Sequence, residues 1–190
     1  AEAAAGESPL LELLPWKLKS AGLVVTGNEV YHGRIEDKFG PVVVEKLAQY
    51  GIEVKQKLVC DDNTEHIVAA IETLRAEGYD MIACSGGMSV DPDDRTPGAI
   101  AQSGAKVVSY GSPVLPGAMF LLAYFDDGTP IVGLPGCVMY SKATVFDLAL
   151  PRLAADVPIT KRDLAEYGYG GLCLNCGDCR YPVCPFGKGV

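Results

Sequence analysis

Two histidines and one tryptophan are all that this chain of 190 residues carries of those types. Neither His32 nor His66 stands with a serine and an aspartate as a hydrolytic triad would require, and the sequence holds no G-x-S-x-G elbow and no Walker loop. His32 reads as an exposed histidine or as a contact beside a ligand loop, and His66 falls at a helix start. No run of about 18 apolar residues occurs, which excludes a membrane-spanning helix. Basic residues are in the minority, 16 Lys and Arg against 24 Asp and Glu, giving a net charge of −8. A duplex nucleic-acid binder needs a basic face, so nucleic acid is not an expected partner, and neither is a membrane. An anionic ligand would have to be held by backbone N–H groups, helix N-termini or a bound cation. No charged n-region precedes an apolar core, so no secretory signal is read and a cytoplasmic setting is expected. The small, polar start from Ala1 to Ser8 reads as a linker, with residues 1–19 the end of an upstream region.

Hydrophobic residues make up 48% of the chain. A chain of this length buries roughly 70% of its extended surface on folding, so the main body needs no metal or disulfide. Ala21 to Thr26 is a short β-branched run that ends at Gly27 and reads as a buried strand. Gly40 to Tyr50 has helical spacing, with Pro41 in the first turn and Gly51 at the stop. A strand over 52–59, a helix over 63–77 and a buried strand over 80–84 follow. This alternation predicts βαβ units and a mostly parallel sheet in an α/β fold. A short helix over 97–103 and a strand over 106–110 come next. Asp126-Asp127-Gly128 then marks a hairpin turn between strands at 119–125 and 131–134. Cys137 to Ala155 reads as one long helix disturbed near its end by Pro151, and a short helix follows Pro158.

In an open α/β sheet, ligands bind beyond the carboxyl ends of the strands. Four segments rich in Gly, Ser, Asp and Pro should meet there. The first is Thr26-Gly27-Asn28-Glu29, with Asp37 downstream. The second is Ser85-Gly86-Gly87-Met88-Ser89, leading into Asp91-Pro92-Asp93-Asp94-Arg95-Thr96-Pro97. Its paired glycines expose N–H groups to an anion. Its aspartates suit either a solvated loop or Mg²⁺, which favours oxygen ligands bridged to phosphate. Asp94 or Thr96 could cap the helix beginning near Pro97. The third segment is Pro113 to Gly117 and the fourth Gly133 to Gly136. Each of these two, taken alone, also reads as a structural turn.

Taken in order, Thr26-Gly27-Asn28-Glu29, Asp37, Ser85-Gly86-Gly87-Met88-Ser89 with Asp94-Arg95-Thr96-Pro97, Pro116-Gly117 and Leu134-Pro135-Gly136 resemble the molybdopterin-binding domain of the MogA, MoaB, MoeA and gephyrin proteins. The resemblance covers about Leu23 to Leu153. It implies a three-layer α/β/α fold and a pocket for molybdopterin or its adenylylated form, with Mg²⁺. It implies that Asp94 and Asp37 are the catalytic acids that hold the cation. It further implies a ligand pocket of Thr26, Gly27, Glu29, Ser85, Gly86, Gly87, Ser89, Thr96, Pro116, Gly117, Pro135, Gly136 and Cys137, in which Ser85, Gly86 and Gly87 cradle phosphate. Adenylyl transfer and molybdate insertion are the implied activities; a non-catalytic pterin carrier or sensor is the alternative. Asn28 is a mild change from the family motif, and five further positions depart from it. Lys38-Phe39 stands where Ser-Asn or Thr-Asn is usual, Ala118 where the insertion enzymes carry lysine, and Cys137 and Val138 replace Asn-Pro. Cys137 at a helix N-terminus would have a lowered thiol pKa and could touch the ligand dithiolene or its metal; a small buried residue is the other reading. By analogy with the family a homo-oligomer is expected, with a molybdoenzyme or another cofactor-biosynthesis protein as a possible partner.

Seven cysteines are present, and Cys173, Cys176, Cys179 and Cys184 crowd into twelve residues. The run C-x2-C-x2-C-x4-C-P suits tetrahedral Zn²⁺, and it is close to a ferredoxin-type iron–sulfur run, in which the last gap is three. A reduced or disulfide-linked tail is the remaining reading. The expected organisation is thus a linker over 1–19, a pterin-binding domain over 20–158, and a short helix with a metal-binding tail over 159–190.

Overall fold

A computed structural model describes residues 11–189. Six strands form one sheet: β1 (Ser20–Thr26), β2 (Glu53–Cys60), β3 (Met81–Ser85), β4 (Lys106–Tyr110), β5 (Leu121–Tyr124) and β6 (Pro130–Leu134). Their order is β2-β1-β3-β6-β5-β4. The first four in that order run parallel, while β5 and β4 are antiparallel to their neighbours. The Asp126-Asp127-Gly128 turn does join β5 to β6, with Gly128 at a positive φ of 88° that only glycine adopts readily.

Side chains alternate across the sheet and build two cores. Leu23, Val25, Ala83 and Val132 face α2 (Phe39–Ala48) and α5 (Val145–Ala154) on one side. Val24, Ile82, Cys84 and Ile131 face α3 (Thr64–Ala76) and α4 (Thr96–Gln102) on the other. The result is the three-layer α/β/α arrangement. Strands buried on both faces explain the nearly unbroken apolar runs of β1 and β3.

The expected helix over 137–155 is two elements. Gly136–Met139 is a single 3₁₀ turn, and α5 begins afresh at Thr144. A capping box causes the restart: the Thr144 hydroxyl accepts from Phe146 N–H while Asp147 Oδ2 accepts from Thr144 N–H at 2.7 Å. Pro151 does not end α5. It has no N–H to give the Asp147 carbonyl one turn earlier, and the Tyr181 hydroxyl donates to that oxygen instead, at 2.6 Å. A one-turn helix at α1 (Asn28–Tyr31) was not visible in the periodicity.

Beyond α6 (Lys161–Glu166) the described residues return to the body without further helix or strand. The Leu115 N–H donates to the Gly171 carbonyl, and Cys173 N–H to the Leu115 carbonyl. Phe186 is buried against the first core.

Candidate functional site

The strand order changes direction beside β1. Its outgoing connection runs through α2 to β2 on one side, and α3 then crosses the opposite face to β3 on the other. The loops leaving the carboxyl ends of β1 and β3 therefore part to opposite faces and leave a crevice, the general ligand position of such sheets. A cleft of about 490 Å³ lies there, lined by Asn28, Asp62, Gly87, Asp91, Asp93, Asp94 and Arg95.

The loop after β3 is held from below and from the side. Gly86 has φ 89°, and a Cβ on it would lie 2.1 Å from the Thr26 carbonyl oxygen. Glycine is therefore required where the two strand ends meet. The Thr96 hydroxyl donates to the Gly86 carbonyl at 2.8 Å. Its single proton is thus used, so the Thr26 hydroxyl is the donor in the 3.2 Å contact between the two threonines. Met88 is buried and lies over Gly133 of β6, whose missing side chain makes room for it. Asp94 Oδ2 accepts from Ser89 N–H at 2.5 Å, and the Tyr110 hydroxyl donates to the Ser89 carbonyl at 2.9 Å. Burial, with Asp94 nearby, pushes the Tyr110 hydroxyl up, which keeps it a donor.

Four carboxylates and one guanidinium line this cleft. Asp62 Oδ2 accepts from Asn28 N–H at 3.0 Å, Asp91 Oδ1 from Asp93 N–H, and Arg95 pairs with Asp93 at 3.4 Å. In Asp62, Asp91 and Asp94 one oxygen is engaged by the backbone, leaving the other for a ligand. Among the described residues no three metal-binding side chains converge tightly enough to hold an ion alone. A divalent cation there would need oxygen ligands beyond these side chains, of the kind that water and phosphate offer.

Gly87 and Asp94 are the expected residues that line the cleft, and Gly27, Gly86 and Ser89 border it in sequence. Others have different duties. Ser85 is fully buried in β3, with its hydroxyl on the Val24 carbonyl, so its side chain does not reach a phosphate. Thr26 and Thr96 are buried braces. Neither Asp94 nor Thr96 caps α4, whose N-cap is Arg95 without a side-chain bond. Glu29 is exposed on α1. Asp37 is not among the lining residues: its Oδ1 accepts from Phe39 and Gly40 N–H at the start of α2, and its Oδ2 takes Lys57 Nζ at 3.0 Å. Burial opposes its ionisation, but these donors, with Gly40 foremost, hold the carboxyl below the ordinary range.

The third and fourth segments reach the same edge of the sheet but do not line the cleft. Gly117 is buried against Val145, and the Pro116 carbonyl accepts from Val145 N–H. Pro135 is buried and Gly136 exposed at the start of the 3₁₀ turn. The expected lowering of the Cys137 thiol is corrected: burial, with Asp147 nearby, raises it, and one 3₁₀ turn presents no long helix dipole. Cys173 and Cys184 are half-buried, Cys176 and Cys179 exposed, and the structure does not gather the four sulfurs. Sequence reading missed Asp62. The signal was Asp61-Asp62-Asn63 at the end of the strand beside β1, where a carboxylate reaches the same crevice.

Residues 22–155 match the family described as "probable molybdopterin binding domain". The chain belongs to this family. A CinA-like protein of Mycobacterium sp. (strain MCS) is 40% identical over 82 residues, covering 43% of this chain and 20% of that protein. The match thus spans about a fifth of the length of that curated relative. Among solved structures, the molybdopterin biosynthesis enzyme MoaB of Thermus thermophilus superposes with a TM-score of 0.61 at 20% identity, covering 75% of this chain and 99% of that one. CinA of Thermoplasma acidophilum gives 0.59 at 18% identity, covering 72% and 98%. At these identities the likeness is one of fold.

Proposed function

We propose that this domain binds molybdopterin or its adenylylated form in molybdenum-cofactor biosynthesis, with the ligand's phosphate in the cleft between the ends of β1 and β3. The observation that carries this reading is the Gly86-Gly87 backbone, braced by Thr26 and Thr96, at the point where the sheet changes direction. Backbone N–H groups there would meet phosphate oxygens. The facing carboxylates of Asp62, Asp91, Asp93 and Asp94 would repel a phosphate on their own. A divalent cation between the two removes that conflict, which makes Mg²⁺ a natural companion of the ligand and Asp94, with Asp62, its protein anchor. When bound, the ion would supply charge neutralisation at the phosphate.

Adenylyl transfer or molybdate insertion would be the chemistry if the domain turns over. One observation favours the carrier reading instead. Asp37, the second acid of the catalytic pattern, has its carboxylate engaged by Phe39, Gly40 and Lys57. Ala118 and Cys137-Val138 replace further family residues. Incubation with molybdopterin, Mg²⁺ and ATP, and separately with adenylylated molybdopterin and molybdate, tests the choice. A carrier retains pterin through gel filtration and consumes neither ATP nor the adenylylated ligand. Release of pyrophosphate or AMP marks an enzyme. Absence of both retention and turnover rejects the proposal.

A further inference from the structure

The tail from Gly171 to Gly189 is docked at both ends and unsupported in its middle. At its entry the Gly171 carbonyl and Cys173 N–H exchange bonds with Leu115. At its exit Tyr181 donates to the Asp147 carbonyl, Phe186 is buried, and Gly187 and Gly189 N–H groups donate to the Gly170 and Tyr169 carbonyls. Residues 174–180 between these anchors are exposed throughout and belong to no helix or strand. They bury no apolar side chain, and Leu174 is 71% exposed. Ordering such a loop costs conformational entropy that nothing in its own contacts offsets. Yet this loop and its two ends carry four of the chain's seven cysteines, all free.

We propose that Cys173, Cys176, Cys179 and Cys184 form a tetrathiolate site for a thiophilic metal, and that the metal is what fixes this loop. Cys173 and Cys184 already lean on the core beside the two anchors, at the loop's ends, so two ligands stand on the folded body. The four sulfurs are not gathered in this structure, so binding must draw Cys176 and Cys179, exposed on the intervening loop, toward the two at its ends. Asn175 adopts a left-handed φ of 50° and turns the chain between the first two cysteines. Each thiol releases its proton to water as its sulfur ligates, so binding is pH-dependent. Four thiolates around a divalent ion leave a double negative charge. Arg180 and Lys188 stand in the tail against a single acid, Asp178, in a chain that is otherwise strongly acidic. That local balance suits a thiolate centre and not a carboxylate one. The site is separate from the pterin cleft and does not depend on the reading of that cleft.

The test is metal and acid-labile sulfide analysis of the whole protein purified without oxygen, beside a Cys176→Ser/Cys179→Ser variant. Both substituted residues are exposed, so the body should fold, and far-ultraviolet circular dichroism with the thermal midpoint checks that it does. The expected result is one zinc per chain, or iron with matching sulfide and visible absorption, in the wild type, and at least a tenfold loss in the variant. Zinc without sulfide identifies a mononuclear site, and iron with sulfide a cluster. Wild-type protein free of both metals, equal metal in the variant, or cysteines found as disulfides in the anaerobic protein would overturn the proposal.

Discussion

Two threonine hydroxyls fix the path of the Gly86-Gly87 backbone, and their proton order follows from counting donors: Thr26 gives to Thr96, and Thr96 gives to the Gly86 carbonyl. Thr96 is fully buried and Gly86 half-buried, so Thr96→Val removes one hydrogen bond at the edge of the core. A loss of about 0.5–1.5 kcal/mol is expected for one such bond. Thermal denaturation measures it, and ligand affinity should fall with it because the loop loses its brace. This residue scale is where the sequence was least legible. Ser85, Thr26 and Thr96 carry the family pattern but act from beneath the site, a distinction that depends on burial and not on residue type. Asp37 was expected to hold a cation because its place matches the family pattern; in the structure Lys57, twenty residues away on β2, holds one of its oxygens. Asp62 went unnoticed although Asp61-Asp62-Asn63 closes β2, because only the strand order puts that end in the crevice beside β1.

Helices and strands were more readable, since their apolar periods reflect which face is buried. The break before α5 was not, because it depends on the Thr144–Asp147 capping box; nor was the continuation of α5 through Pro151, where the Asp147 carbonyl is satisfied from the tail. Tyr181→Phe removes the only donor to the Asp147 carbonyl among the described residues outside α5 itself. It should cost about 1–3 kcal/mol in urea unfolding if that carbonyl is left without a partner. α2 has its own signature. Asp37 has a folded-state pKa below its unfolded value, so its ionised carboxyl contributes stability above an ordinary aspartate pKa of about 3.9. That contribution is lost as pH falls from there through the folded-state value. Asp37→Asn should therefore be less stable than wild type near neutral pH, and the gap should close as acid unfolding is followed downward from about pH 4. A gap independent of pH would show that the charge contributes nothing at this helix start. A further buried link joins α2 to α5, where Lys46 Nζ meets Asp147 Oδ1 at 2.5 Å. Asp147→Ala would leave the buried ammonium without a counter-charge and with the Lys142 carbonyl as its remaining acceptor, an expected loss of about 3–5 kcal/mol.

For the whole molecule, the chain order of motifs was enough to place the fold, because strand ends of a doubly wound sheet must meet on one edge. Sequence could not say which of the four segments meet at one cleft. That followed from the turn in strand order beside β1, which separates the loops after β1 and β3 from the turns that pack on α5. Under the proposed function a cation joins this acidic cleft to an anionic ligand. Calorimetric titration of molybdopterin into wild type and Asp94→Ala, each with and without Mg²⁺, tests it most directly. Mg²⁺ is expected to tighten wild-type binding by about tenfold or more, roughly 1.4 kcal/mol or above, and this gain should largely disappear in Asp94→Ala. An equal Mg²⁺ effect in both proteins, or tight wild-type binding indifferent to Mg²⁺, would contradict it.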